Sequence, residues 1–143
     1  IANSIIAHTL SQQGHTSAPR HSDATLASGS QITFYRNLWV HNEERNPQLP
    51  NTEQYEVINC VTAGWTIRGI RIGTTDGPTS PLVDIIGSII VQTTDTSTYI
   101  SPGQWFPISM QSGSTPSIYV SDNWAKNLTT TPPLRWPIGS GTG

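Results

Sequence analysis

Short runs of alternating apolar and polar residues, separated by turn formers, restrict this chain to an all-β fold. No window places apolar residues at the i, i+3, i+4 and i+7 positions of an amphipathic helix over three turns. Residues 31–40 instead alternate, as a strand with two different faces does. Ile32 and Phe34 fall on one side, and Arg36 interrupts the alternation. Alanine, leucine, glutamate and lysine are too scarce to sustain a long helix.

Further strands are expected where β-branched and aromatic residues are bounded by turn formers. The predicted segments are 54–61, 65–72, 82–92, 98–101, 104–110 and 117–121, with a hairpin at 62–64. The run 82–92 is the most apolar, so the core should centre there, with Ile86 and Ile90 buried. Gly87 marks a bulge or a close backbone approach. About eight strands with a turn signal roughly every 8 to 12 residues predict an antiparallel two-sheet sandwich with a jelly-roll topology.

Both ends of the chain differ from this middle. Residues 1–30 lack the apolar content for a core of their own and predict an extended N-terminal arm. Residues 129–143 predict a proline-stiffened, extended C-terminal tail, which leaves 31–128 as the β-sandwich domain. The tail should lie in a groove, either on its own domain or on a neighbouring subunit. The arm and tail residues predicted to mediate assembly are Ile5, Ile6, Leu10, Leu134, Trp136 and Ile138.

The scarcity of charge limits the partners of the chain. Only 11% of its residues are charged, less than half the roughly 25% of an average soluble domain, and Lys126 is its only lysine. Hydroxyl and amide side chains must cover the surface, which suits a protein at an extracellular or virion surface or one packed against its own copies. The arginines are dispersed, so nucleic acid is not an expected partner. No run approaches the roughly 18 apolar residues that cross a bilayer, so membrane insertion is not expected either.

No pattern in the sequence predicts catalysis or a metal site. The chain lacks the Gly-x-Ser-x-Gly turn of a serine nucleophile, and Cys60 lies in an apolar run where a buried, inert thiol is expected. The aspartates available for a glycosidase pair are dispersed: Asp76, Asp84, Asp95 and Asp122. The residues of metal-ligand type near the N-terminus match no ligand spacing: His8, His15, His21 and Asp23. We therefore predict that the protein is not an enzyme and holds no metal through these residues.

Three functions fit these observations. Low charge, no catalytic motif and two extended ends predict a self-assembling structural protein, such as a virus or phage capsid, decoration or tail subunit, whose partners are its own copies or other subunits. The alternative is a carbohydrate-binding module or lectin with a jelly-roll fold, which stacks aromatic rings on a glycan. The residues predicted for that site are Trp105, Tyr119, Asp122, Asn123 and Trp124. No cofactor is expected, apart from a calcium ion that this alternative allows at Asp122 and Asn123. A secreted filament subunit is the third interpretation.

Overall fold

Every regular element in the described part of the chain is a short β-strand. The computed structural model describes residues 1–7, 23–65, 67–74, 76–92, 106–111, 113–126 and 134–135. The strands in these ranges are, in chain order, β1 (Ile5–Ala7), β2 (Gln31–Tyr35), β3 (Leu38–Val40), β4 (Gln48–Leu49), β5 (Gln54–Ile58), β6 (Val61–Ala63), β7 (Arg68–Ile72), β8 (Leu82–Ile86), β9 (Ile89–Val91), β10 (Phe106–Met110), β11 (Ser117–Ser121), β12 (Trp124–Lys126) and β13 (Leu134–Arg135). The prediction of an all-β protein is confirmed.

From β2 to β12, successive strands go to three different sheets in a fixed order. The four-stranded sheet has the strand order β11-β8-β5-β2, the six-stranded sheet β1-β3-β6-β9-β12-β13, and the three-stranded sheet β10-β7-β4. Between β2 and β12, equivalent strands of successive coils pair in parallel, so that Gln31 lies opposite Gln54, which lies opposite Leu82. The chain therefore winds as a parallel β-helix, a solenoid in which each coil stacks on the next.

The predicted antiparallel jelly roll is wrong. All strand pairs in the described part of the chain are parallel, except for β12 with β13. The predicted strands 31–40, 54–61 and 82–92 each divide into two strands that belong to different sheets. The predicted hairpin at 62–64 is absent, because β6 is followed by β7 in the third sheet. Alternation reports which side chains share a face, but not whether the neighbouring strand runs parallel or antiparallel.

A two-residue corner joins the first and second strands of each coil. The first corner residues all have left-handed backbone conformations: Arg36 (φ 53°), Asn59 (φ 52°), Gly87 (φ 61°) and Asp122 (φ 55°). Asparagine, aspartate and glycine adopt this conformation at lower cost than other residues do. Gly87 is thus a corner residue rather than a bulge within one strand, and a Cβ atom there would lie 2.3 Å from Asn59 Oδ1. The corner also shifts the alternation by one residue, so that Phe34 and Trp39 both face inward.

The core is a column of side chains enclosed by the coils. Its largest fully buried members are Phe34, Trp39, Leu49, Tyr55, Val57, Ile70, Ile72, Val83, Ile85 and Ile90. The rings of Phe34 and Trp39 meet edge to face, with centroids 5.4 Å apart. Ile90 is buried as expected, but Ile86 faces outward and is half-buried, so its assignment to the core is wrong. Ile85, one residue earlier, takes the inward position.

The described segments near the two ends of the chain pair with this β-helix. β1 lies parallel to β3, with Ile6 opposite Trp39. Residues 23–27 run beside β4, where the Gln48 N–H donates to the Thr25 carbonyl (2.9 Å) and the Ala27 N–H donates to the Gln48 carbonyl (3.0 Å). At the other end, β13 pairs antiparallel with β12. Part of residues 1–30 therefore occupies the positions of a coil that precedes β2.

Candidate interaction surfaces

The second residue of each corner belongs to a ladder of hydrogen bonds along the coil stack. The ladder residues are Ser4, Asn37, Cys60, Ser88 and Asn123. Backbone N–H groups donate from Ser4 to Asn37 Oδ1 (3.0 Å), from Asn37 to Cys60 Sγ (3.4 Å), from Cys60 to Ser88 Oγ (3.1 Å) and from Ser88 to Asn123 Oδ1 (2.8 Å). Each bond satisfies a corner N–H group that the strand ladders do not use. The ladder fixes the register of the coils and so the positions of the outer faces.

Cys60 is the only thiol of the chain and is 1% exposed, which confirms its expected burial. Burial raises the pKa of the Cys60 thiol, and the Asn37 N–H group that donates to Sγ offsets part of this rise. The thiolate is the reactive form of cysteine, and both burial and the raised pKa suppress it. This side chain is therefore a structural member of the ladder rather than a nucleophile.

We expect Ellman's reagent to label Cys60 only when the protein unfolds. Labelling at pH 8 should be slow for the native protein and rapid in urea, because the folded protein shields the protonated thiol. Rapid labelling without denaturant would contradict the buried position.

The raised pKa of the Cys60 thiol also makes stability depend on pH. The contribution of the thiol is complete below the pKa of the unfolded thiol and is lost as the pH rises towards the higher pKa of the folded one. Between neutral and alkaline pH, the Cys60→Ser variant should therefore lose less stability than the native chain.

Charged and amide side chains connect three successive coils at the three-stranded sheet. Glu44, in the segment between β3 and β4, accepts a hydrogen bond from Arg68 Nη1 (2.9 Å), and its Oε2 atom lies 3.3 Å from Arg71 Nη1. Arg71 Nη2 donates to Gln111 Oε1 (2.7 Å), just beyond β10. Burial lowers the pKa of Arg71, and the neighbouring Glu44 charge opposes this effect. Glu44 and Gln111 thus bind the terminal nitrogens of Arg71, whose buried Nε atom has no hydrogen-bond partner among the described residues.

The outer face of the six-stranded sheet carries an apolar row across five stacked strands. Two rows in register form what we call the apolar stripe: Ile5, Leu38, Val61, Ile89 and Trp124 in one row, and Ala7, Val40, Ala63 and Val91 in the other, whose next position, on β12, is Lys126. The exposed fractions of Ile5, Ile89 and Trp124 are 73%, 42% and 37%. Parallel sheets usually have both faces covered. This contiguous apolar patch is therefore a candidate contact surface.

A second feature lies on the outer face of the four-stranded sheet. Two adjoining depressions, of about 280 and 450 Å³, share Gln54 as a lining residue. We call them the polar groove, whose outward hydrogen-bonding and aromatic side chains include Gln31, Thr33, Gln54, Glu56, Asp84 and Tyr119. The exposed Leu82 side chain also lines it. Thr33, Glu56, Asp84 and Tyr119 lie opposite one another on β2, β5, β8 and β11. The groove therefore crosses the strands and follows the axis of the coil stack.

The structure separates the residues that were predicted to form a glycan site. Tyr119 faces the polar groove, whereas Trp124 belongs to the apolar stripe on the next sheet. Asn123 belongs to the ladder, where Oδ1 accepts the Ser88 N–H group and Nδ2 donates to the Ile85 carbonyl. Asp122 is an exposed corner residue that accepts a hydrogen bond from Ser121 Oγ. Trp105 lies outside the described residues.

The residues predicted to mediate assembly also lie in different places. Ile5 is on the apolar stripe, while Ile6 packs against the core. Leu134 is in β13, opposite Ala125 of β12. Leu10, Trp136 and Ile138 lie outside the described residues.

Most of the predicted metal-ligand types fall outside the described ranges. His8, His15 and His21 are among them. Asp95, one of the aspartates considered for a glycosidase pair, also lies outside the described residues. Asp23 lies 3.2 Å from Arg45 Nε in an ion pair. Where residues are described, no three histidine, cysteine, aspartate or glutamate side chains form a group that suits a metal ion.

Comparisons with protein-family models, curated proteins and solved structures found no match to this chain. Over the described residues, no helix is long and apolar enough to cross a membrane. The two outer faces are therefore the features that bear on the function of this protein.

Proposed function

We propose that this protein is a non-enzymatic structural subunit that assembles with its own copies through the apolar stripe. The observation that carries the proposal is the unbroken line of outward apolar side chains over five strands. The inner face of the same sheet already packs on the core, so the stripe adds nothing to the core of the β-helix. Removing it from water would stabilise a complex by roughly 25 cal/mol per Å² of apolar surface, before the cost of association.

A second copy of the chain fits this surface. Every copy presents the same straight rows, so two copies related by a twofold axis can pack stripe against stripe. An apolar centre with a polar rim is the usual anatomy of such an interface. With only 11% charged residues, the chain offers little like-charge repulsion between copies. The same sparse charge supports the proposal that the protein acts outside the cytoplasm, at an extracellular or virion surface.

Sedimentation velocity at micromolar concentration tests this proposal. The native chain should sediment as a species larger than its 15.5 kDa mass, and Ile89→Lys should shift it to the monomer because a lysine would be buried in the interface. Leu82→Lys is the matched control. It places the same charge on the preceding strand of the same coil, at a residue that is 55% exposed on a different sheet.

Two results would contradict the proposal. One is a native protein that stays monomeric at high concentration, which would indicate that other residues of the same chain cover the stripe. The other is equal assembly of the Ile89→Lys and Leu82→Lys variants, which would place the interface elsewhere. Circular dichroism spectra of both variants show whether the β-helix remains folded.

A further inference from the structure

We infer that the polar groove binds an extended, neutral glycan chain, independently of assembly through the apolar stripe. The first reason is its repeat. Four strands each contribute one residue to the row Thr33, Glu56, Asp84 and Tyr119. With about 4.8 Å between neighbouring strands, this row spans roughly 14 Å. A linear polysaccharide also presents similar hydroxyl groups at regular intervals, so one strand of the protein can meet each successive part of the ligand.

The second reason is the chemistry of the lining. Amide, hydroxyl and carboxylate groups from Gln31, Gln54, Thr33, Glu56 and Asp84 can donate to or accept from sugar hydroxyls. Thr33 Oγ1 donates a hydrogen bond to Glu56 Oε2, which fixes the direction of that carboxylate before a ligand arrives. A group oriented in advance loses less conformational freedom on binding.

The third reason is the aromatic side chain at one end of the row. Tyr119 is 54% exposed on β11, so a face of its ring is available to the apolar side of a pyranose. The groove has a modest volume, and its lining residues belong to the sheet itself. Such a surface suits a polymer that lies along it rather than a compact ligand enclosed on most sides.

The charge of the groove selects the class of glycan. Glu56 and Asp84 contribute carboxylates, while neither lysine nor arginine is among its lining residues. A polymer of uronic acid or sulfated sugar would meet like charges without a compensating cation. The expected ligand is therefore an uncharged polysaccharide.

Affinity electrophoresis in gels that contain a soluble polysaccharide tests the inference with the full chain. The neutral probes are glucomannan, xyloglucan and galactan, and the anionic probes are polygalacturonate and dextran sulfate. At least one neutral probe should retard the native protein, and the anionic probes should not. Tyr119→Ala should weaken binding roughly tenfold, which corresponds to about 1.4 kcal/mol for a lost ring contact. Asp84→Asn should weaken it less, because the shape is kept and only the charged acceptor is lost.

Tyr35→Ala is the matched control for the loss of a tyrosine ring. Tyr35 points outward from β2 in the same sheet but is not among the lining residues of the groove, so its removal should leave retardation unchanged. Three results would overturn the inference: no retardation by any neutral probe, retardation by the anionic probes as strong as by the neutral ones, or native affinity in both Tyr119→Ala and Asp84→Asn. Retardation of the Ile89→Lys variant is measured separately. Its persistence shows that glycan binding stands even if assembly through the stripe fails.

Discussion

Replacing Trp39 with alanine is expected to lower the free energy of unfolding by roughly 3 to 5 kcal/mol. The Trp39 side chain is fully buried inside the first coil and packs edge to face on Phe34. Its Nε1 atom also donates a hydrogen bond to Thr25 Oγ1 (2.9 Å), which connects β3 to the segment beside β4. Truncation would open a large cavity and leave that hydroxyl without its partner. Urea denaturation followed by circular dichroism measures the loss.

The variant Trp39→Phe separates the two contributions. It keeps an aromatic ring in the core but removes the N–H donor, so it should lose less stability than Trp39→Ala. A loss below about 1 kcal/mol for Trp39→Ala would indicate that β3 is shifted by one residue. Leu38 and Val40 would then face the core, and the apolar stripe would not exist in the form described.

Removing the Glu44 carboxylate is expected to cost roughly 2 to 3 kcal/mol, less than the 3 to 5 kcal/mol typical of fully buried pairs. The Glu44 side chain is 19% exposed, while the side chain of its partner Arg71 is 10% exposed. Glu44→Ala would leave the Arg71 guanidinium largely buried without the carboxylate that it contacts, and with only the weaker effect of Asp23. It would also remove the bond that Arg68 makes to the same carboxylate. Chemical denaturation of the variant at neutral pH measures this effect.

A double-mutant cycle with Arg71→Met tests the coupling. In the Glu44→Ala background, removing the arginine also removes the uncompensated charge, so the second substitution should cost much less than it does alone. Strictly additive losses would show that the two side chains do not stabilise each other. The cycle therefore distinguishes an ion pair from two independent packing effects.

The sequence was sufficient to predict the type of secondary structure but not its arrangement. Period-two alternation reveals strands such as β2 and β5, and it correctly places Phe34 on one face with Ile32. It does not reveal that the chain turns at Arg36 and Asn37 into a second sheet, where the inward positions shift by one residue. Residues 31–40 were instead predicted to be one continuous strand. Several such strands joined by turns are typical of an antiparallel sandwich, and that fold was therefore predicted.

A ten-residue unit was the signal that would have revealed the coils. It occupies residues 31–40, 54–63, 82–91 and 117–126. Its sixth residue takes the left-handed conformation, and its seventh is the small or polar ladder residue. The connections between the units differ in length, so no fixed repeat period appears in the sequence. Three of the four sixth positions are asparagine, glycine or aspartate, in keeping with the preference for positive φ.

Predicting the candidate surfaces from the sequence required knowledge of the parallel stacking of the coils. The sequence predicted Tyr119 as a ligand-binding aromatic and Ile5 as an assembly residue, but the structure separates each of them from residues that were predicted to act with it. Tyr119 and Trp124 are close in the chain, yet the corner at Asp122 directs them to different sheets. The rows that form the stripe and the groove come from separate coils and exist only through parallel pairing.

The number of stacked coils sets the length of each outer surface. Because one coil adds one strand to each sheet, duplicating a coil would lengthen the apolar stripe and the polar groove together, each by about 4.8 Å. The added coil would need only its own corner and ladder residue to continue the series. If both proposals hold, valency for a glycan and strength of self-association would then rise in step, without any change to the residues already present.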